Sequence, residues 1–171
     1  NDLDAIDAVN LTAEQQTLLA SIPDPMFRQT TRDFCVNQQF RKDYWVKGCR
    51  TLTALEQAEA LRGQRILLAQ PRADVGLKVT GSLGEATLQE AVYGPILDQL
   101  TDHKPKTLGQ LEHALKATPS TQSLSFAQIL QAAMVLSATG AVQAVQDDAV
   151  VQKAKKRTDR LNVYLMTKAR S

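Results

Sequence analysis

Apolar residues recur every three or four positions through most of this chain, and the runs are punctuated by a Thr or Ser followed three residues later by Gln or Glu. That spacing is a capping box, in which the hydroxyl and the longer side chain each satisfy a free N–H at a helix start. It occurs at Thr12/Gln15, Thr53/Glu56, Thr87/Glu90, Thr107/Gln110 and Ser125/Gln128. Behind Thr12, Leu18, Leu19 and Ile22 fall on one face and Pro23 ends the helix. Asp24-Pro25 opens a second helix with an N-cap carboxylate and a proline at the first position. It is expected to run to about Gln39 and to bury Phe27, Thr31 and Phe34. A third helix carries Leu55, Ala58 and Leu61, with Gly63 standing where a left-handed residue is wanted.

Between the second and third helices, residues 43–47 read Asp-Tyr-Trp-Val-Lys before Gly48, a short strand with Tyr44 and Val46 inward. Two further strands are expected at 65–70 and 75–81, with Pro71 to Asp74 as a turn, and they could pair as an antiparallel ribbon. Gly81 and Gly84 loosen the backbone around Ser82 to Glu85, which marks a division into domains 1–86 and 87–171. Past it, Leu88, Val92, Ile96, Leu97 and Leu100 form a helical face that Gly94-Pro95 is expected to divide. Leu108, Leu111 and Leu115 follow Thr107. Leu124 can staple onto Ile129 beyond Ser125, and Gly140 stops that helix. Residues 141–146 resemble a strand, Asp147-Asp148 a turn, and about Lys155 to Arg170 a basic amphipathic helix on Leu161, Tyr164 and Leu165. The fold class is therefore α+β: mostly helical, with a small antiparallel sheet in the N-terminal half and a winged-helix-like C-terminal half.

At 171 residues and 43% hydrophobic content the chain can fill one sizeable core or two small ones. Its 20 basic and 18 acidic residues nearly balance, so charge alone points to no polyanionic partner. Cys35 and Cys49 are too few for a disulfide framework and no secretory leader precedes them, the pattern of a cytoplasmic protein. No apolar run reaches the roughly 20 residues of a membrane span. Asn1, in place of an initiator Met, points to a piece of a longer polypeptide.

The chemistry carried by these residues is sparse. Cys35, Cys49, His103 and His113 are scattered over different elements, without the close spacing of a zinc site. Cys35 reads as a small buried hydrophobe and His113 as a surface residue. Gly81-Ser82-Leu83-Gly84 is the nearest approach to a nucleotide loop, but no strand, turn and helix alternation surrounds it. No catalytic, cofactor-binding or metal-binding residues are assigned. Lys153, Lys155, Lys156, Arg157 and Arg160 form a basic cluster, read as a solvated helix face or as a contact with an acidic partner. A winged helix invites DNA binding, yet the helix that would enter the groove, 125–139, has no charged residue of either sign. Phe126, Ile129, Leu130, Ala133, Met134 and Leu136 describe it instead as buried on most sides. The other dense group, Arg41, Asp43, Tyr44, Trp45 and Lys47, is either an edge strand or a partner or substrate surface, since Trp, Tyr and Arg are the types that anchor interfaces.

Arg32-Asp33-Phe34, Asn37-Gln38-Gln39-Phe40-Arg41-Lys42-Asp43 and Val46-Lys47-Gly48 resemble the predicted methyltransferase regulatory domain that follows the catalytic domain in a group of bacterial methyltransferases dependent on S-adenosylmethionine. Gln70-Pro71-Arg72-Ala73-Asp74, Leu77-Lys78-Val79, Gly81 and Gly84-Glu85-Ala86-Thr87-Leu88 are similar to its second half, so the resemblance covers about residues 12–90. Phe126-Ala127-Gln128-Ile129-Leu130 and the helices before it are similar to the C-terminal region of such proteins. The resemblance implies a parent enzyme that uses S-adenosylmethionine, possesses an upstream catalytic domain and acts on protein side chains. It places no cofactor site in this segment. The expected function is a non-catalytic regulatory or substrate-recognition portion, partnered by that catalytic domain, a protein substrate or a second copy. The alternatives are a winged-helix nucleic-acid-binding module, which the uncharged helix disfavours, and a free-standing protein-interaction module.

Overall fold

Four of the five expected capping boxes form. In the computed structural model, which describes residues 6–41, 46–48 and 50–170, a four-residue helix α1 (Asp7–Asn10) precedes α2 (Ala13–Ser21). The reciprocal bonds of the box start α2 at Thr12, α4 (Ala54–Arg62) at Thr53, α6 (Leu108–Lys116) at Thr107 and α7 (Phe126–Ala138) at Ser125. Each such cap is worth about 1 kcal/mol. Asp24 caps α3 (Pro25–Cys35) by accepting the Phe27 N–H at 2.7 Å. The fifth box does not form, because Thr87 is held in a strand opposite Lys78. Helix α5 (Glu90–Gln99) starts behind Gln89 without a side-chain cap.

The architecture is α+β with two small antiparallel sheets. Strand β1 (Arg65–Leu68) is central in one, flanked by β4 (Lys106–Thr107) and β5 (Val142–Ala144). Strands β2 (Lys78–Gly81) and β3 (Gly84–Thr87) form the other. The expected ribbon between 65–70 and 75–81 is thus absent. Both edges of β1 are already paired, and β2 takes the neighbour that a two-residue turn at Ser82-Leu83 delivers at the lowest loop-closure cost. Helices α5, α6 and α7 followed by β5 keep the helix, helix, helix, strand order, which is compatible with a winged helix. The middle strand of the sheet, β1, comes from upstream of all three helices.

One core joins these parts. Ile66 and Leu68 of β1 alternate inward and meet Ile96, Leu97 and Leu100 of α5, Leu111 and Leu115 of α6, and Ile129 and Leu136 of α7. Packing therefore crosses the 86/87 position expected to divide the chain. Pro95 does not split α5, which runs unbroken, and Gly94 leaves room for Glu90, whose Oε1 would lie 2.6 Å from an added Cβ. Gly140 closes α7 at φ +81°, as a C′ glycine does, whereas Gly63 after α4 stays right-handed at φ −73°. Met134, expected inside, is half exposed on the outer side of α7.

Two small clusters hold the N-terminal segment. Ile6 joins Val79 and Val135, with Val9 and Ala86 packed beside them. Buried Asn10 accepts both the backbone N–H and the hydroxyl of Ser82 at 2.9 and 3.0 Å and donates to the Ile6 carbonyl. Leu11, Leu19 and Ile22 form the second cluster with Cys35 and Val36. At the other end, α8 (Asp148–Ala169) begins two turns earlier than the sequence pattern suggests. Asp147 and Asp148 stand at its start, where carboxylates favour the helix dipole.

Candidate partner surface

The orientation of α3 is the reverse of the one its pattern suggests. Arg28 turns toward α2 and donates from Nε to the Ile22 carbonyl at 2.9 Å, and Arg32 Nε meets Asp7 Oδ1 at 2.7 Å. Carbonyls left open at the end of a helix are good partners for a guanidinium. The aromatic face consequently points outward: Phe27 is 61% and Phe34 82% exposed, and Phe40 beyond the helix is 86% exposed.

Helix α3 stops at Cys35, four residues short of the expected end, in a Schellman turn. The Gln38 N–H reaches back to the Asp33 carbonyl at 2.8 Å and the Asn37 N–H to Phe34 at 3.2 Å. Asn37 takes the left-handed position at φ +50°, which Asn tolerates better than most residues. The turn folds its own polar side chains around an open cavity of about 360 Å³, lined by Thr30, Asp33, Phe34, Asn37, Gln38 and Gln39. Among the described residues Asp33 is the only charged group in that lining. Its two oxygens accept from Gln29 Nε2 at 3.1 Å and Arg41 Nη1 at 2.8 Å, so it fixes the wall. Amides that both donate and accept, beside exposed phenyl rings, form a surface suited to polypeptide.

Of the residues expected to form a partner surface, Arg41 lies at this rim through its bond to Asp33. Lys47 is exposed in a turn with Gly48. Asp43, Tyr44 and Trp45 fall outside the described residues, as do Cys49 and most of the expected strand; Val46, expected inward, is exposed. Phe34 and Phe40 were missed as surface groups. The available signal was the Asn37-Gln38-Gln39 run between them, too polar to continue a buried helix face.

The glycine run is occupied by structure. Gly81 and Gly84 close the β2–β3 hairpin, and a Cβ on Gly81 would stand 2.1 Å from the Val9 carbonyl oxygen. Its glycine answers the close approach of α1, and no helix follows Gly84 directly. That hairpin therefore does not present a glycine turn at a helix start, the arrangement that would let backbone approach a nucleotide-like donor. Among them no three His, Cys, Asp or Glu side chains are grouped to hold a metal ion. His113 is exposed, and half-buried Cys35 ends α3 against Leu11, Leu19 and Ile22. No helix among them is long and apolar enough to cross a membrane.

Residues 1–47 match the family model of the predicted methyltransferase regulatory domain. The match takes in α1, α2, α3 and the described residues that line the cavity. The chain is also similar to the uncharacterized protein sll1526 of Synechocystis sp., at 36% identity over 167 residues. The similarity covers 98% of this chain and 32% of that protein, so the chain spans about a third of the length of the curated relative it matches. No solved structure matches it.

Proposed function

We propose that this chain is the non-catalytic regulatory and substrate-recognition portion of a methyltransferase dependent on S-adenosylmethionine, acting on protein side chains. The methyl donor binds on other polypeptide, the catalytic domain, and this chain is the part that positions the acceptor. The observation that carries the reading is the family match over residues 1–47, which ends on an amide-lined cavity flanked by exposed Phe34 and Phe40. Such a surface contributes contacts rather than chemistry, because Asp33, the only charged group among the described residues lining the cavity, is held by Arg41 and Gln29. Methyl transfer by the catalytic polypeptide, measured with and without this chain, tests the proposal. A rise in acceptor turnover on adding the chain is expected, with the affinity for the donor unchanged. Equal turnover in both mixtures contradicts it.

A further inference from the structure

Helix α8 is anchored at its first turn and then leaves the fold. Arg65 donates from Nη2 to Asp148 Oδ1 at 2.7 Å and from Nη1 to the Gln146 carbonyl at 3.3 Å. No residue of the helix is buried. Its 22 residues extend about 33 Å, and a helix with no packed face is only marginally stable in water. Lys153, Lys156, Arg157 and Arg160 fall within about 100° of arc at 3.6 residues per turn. They sit three and four positions apart, where like charges repel. Lys155 is paired with Asp159 at 2.7 Å, but those four cations have no carboxylate partner among the described residues. A row of unpaired like charges stabilises a helix only when an anion faces it.

The next turns, Leu161 to Met166, are apolar except for Asn162. Leu161, Val163, Tyr164, Leu165 and Met166 are 53–65% exposed, and steps of about 100° point them around the whole circumference. A helix lying on a bilayer needs one apolar and one polar face, whereas these five apolar side chains are spread around the helix and share no single face, so a cleft covers them better than a flat surface. Pairing α8 with α8 of a second copy in register would bring Arg157 and Arg160, near the middle of the helix, against the same residues. Where basic row and apolar end meet, a shallow hollow of about 410 Å³ is lined by Asp159, Arg160, Val163 and Tyr164.

We infer that the C-terminal part of α8 inserts into an apolar cleft of a different polypeptide whose entrance carries carboxylates. Leu161, Val163, Tyr164, Leu165 and Met166 enter the cleft, and Lys153, Lys156, Arg157 and Arg160 meet the acidic rim. The assignment stands on α8 alone and does not require the methyltransferase role. Two synthetic helical-hairpin peptides test it: both carry a leucine-lined groove, one flanked by Glu and the other by Lys. Binding to the full chain is measured by fluorescence anisotropy. The Glu peptide is expected to bind at least about tenfold more tightly than the Lys peptide, and its affinity should fall with salt. The double variant R157E/R160E should lose that preference, and L165D should lose binding to both, each with an unchanged melting temperature because these side chains are exposed. Failure of the Glu peptide to bind, or equal binding of both peptides, overturns the assignment. So does a dimer in light scattering that L165D dissociates, or co-sedimentation with phosphatidylglycerol vesicles that L165D abolishes.

Discussion

Glu112 Oε2 lies 2.7 Å from Arg62 Nε, joining α6 to α4 by a charged hydrogen bond at a carboxylate whose side chain is only 10% exposed. Lys116 Nζ approaches the other oxygen at 2.6 Å, and the Arg62 guanidinium lies 4.4 Å above the Phe126 ring of α7. Three helices thus meet at one ion cluster, although α4 supplies no buried side chain to the core.

Glu112→Gln should destabilise the fold by about 1–3 kcal/mol at neutral pH, since it weakens two charged hydrogen bonds at a buried site. The Arg62 hydrogen bond first, and then Lys116, hold the Glu112 carboxyl below its ordinary range against the opposing effect of burial. A carboxyl with a lowered pKa in the folded state stabilises above its unfolded value, about 4.3. That contribution fades as pH falls through the lower folded value. Urea midpoints of the two proteins should therefore lie apart at pH 7 and converge below about pH 4.

Gly81→Ala should detach the N-terminal segment. The added methyl would collide with the Val9 backbone, which is hydrogen-bonded to Leu83 and cannot yield as a side-chain tip would. A loss of roughly 1–3 kcal/mol is expected, with faster amide exchange in residues 6–11. Gly76→Ala, where nothing lies within 4 Å, is the control and should stay near wild type.

Buried Asn10 gives a second handle on the same junction. Asn10→Ala leaves the Ser82 N–H and hydroxyl without their acceptor, which should cost roughly 1–3 kcal/mol. Because Gly81→Ala breaks the same contact, the double variant should lose less than the sum of the two single losses. Additive losses in thermal melts would show that the two residues hold different contacts.

Phe34→Asp and Phe40→Asp should leave stability within about 0.5 kcal/mol of wild type, because both rings already stand in solvent. Under the proposed function the same changes should weaken binding of the protein acceptor, read by calorimetric titration. Strong destabilisation would mean that these rings are structural.

Helix starts were legible in the sequence because a capping box is local: four of five lie where the Thr or Ser spacing puts them. The fifth failed where a tertiary demand, strand pairing of Thr87, outweighed a cap. Partners of β1 were not legible, since Lys106 and Val142 are distant in sequence and short strands carry little pattern. Which face of α3 is buried was misread for a related reason. Phe27 and Phe34 set the apolar stripe, but Arg28 and Arg32 find a carbonyl and a carboxylate on the inner side, and only the folded chain brings those together. The cavity depends on a left-handed Asn37, for which the sequence offered the residue type but not the turn.

Titration of S-adenosylmethionine into the isolated 171-residue chain is the most direct measurement. No saturable heat up to about millimolar donor, a concentration at which even weak sites fill, is the predicted result. Saturable binding in the micromolar range would contradict the account, because it would place the methyl donor on the very residues assigned here to recognition.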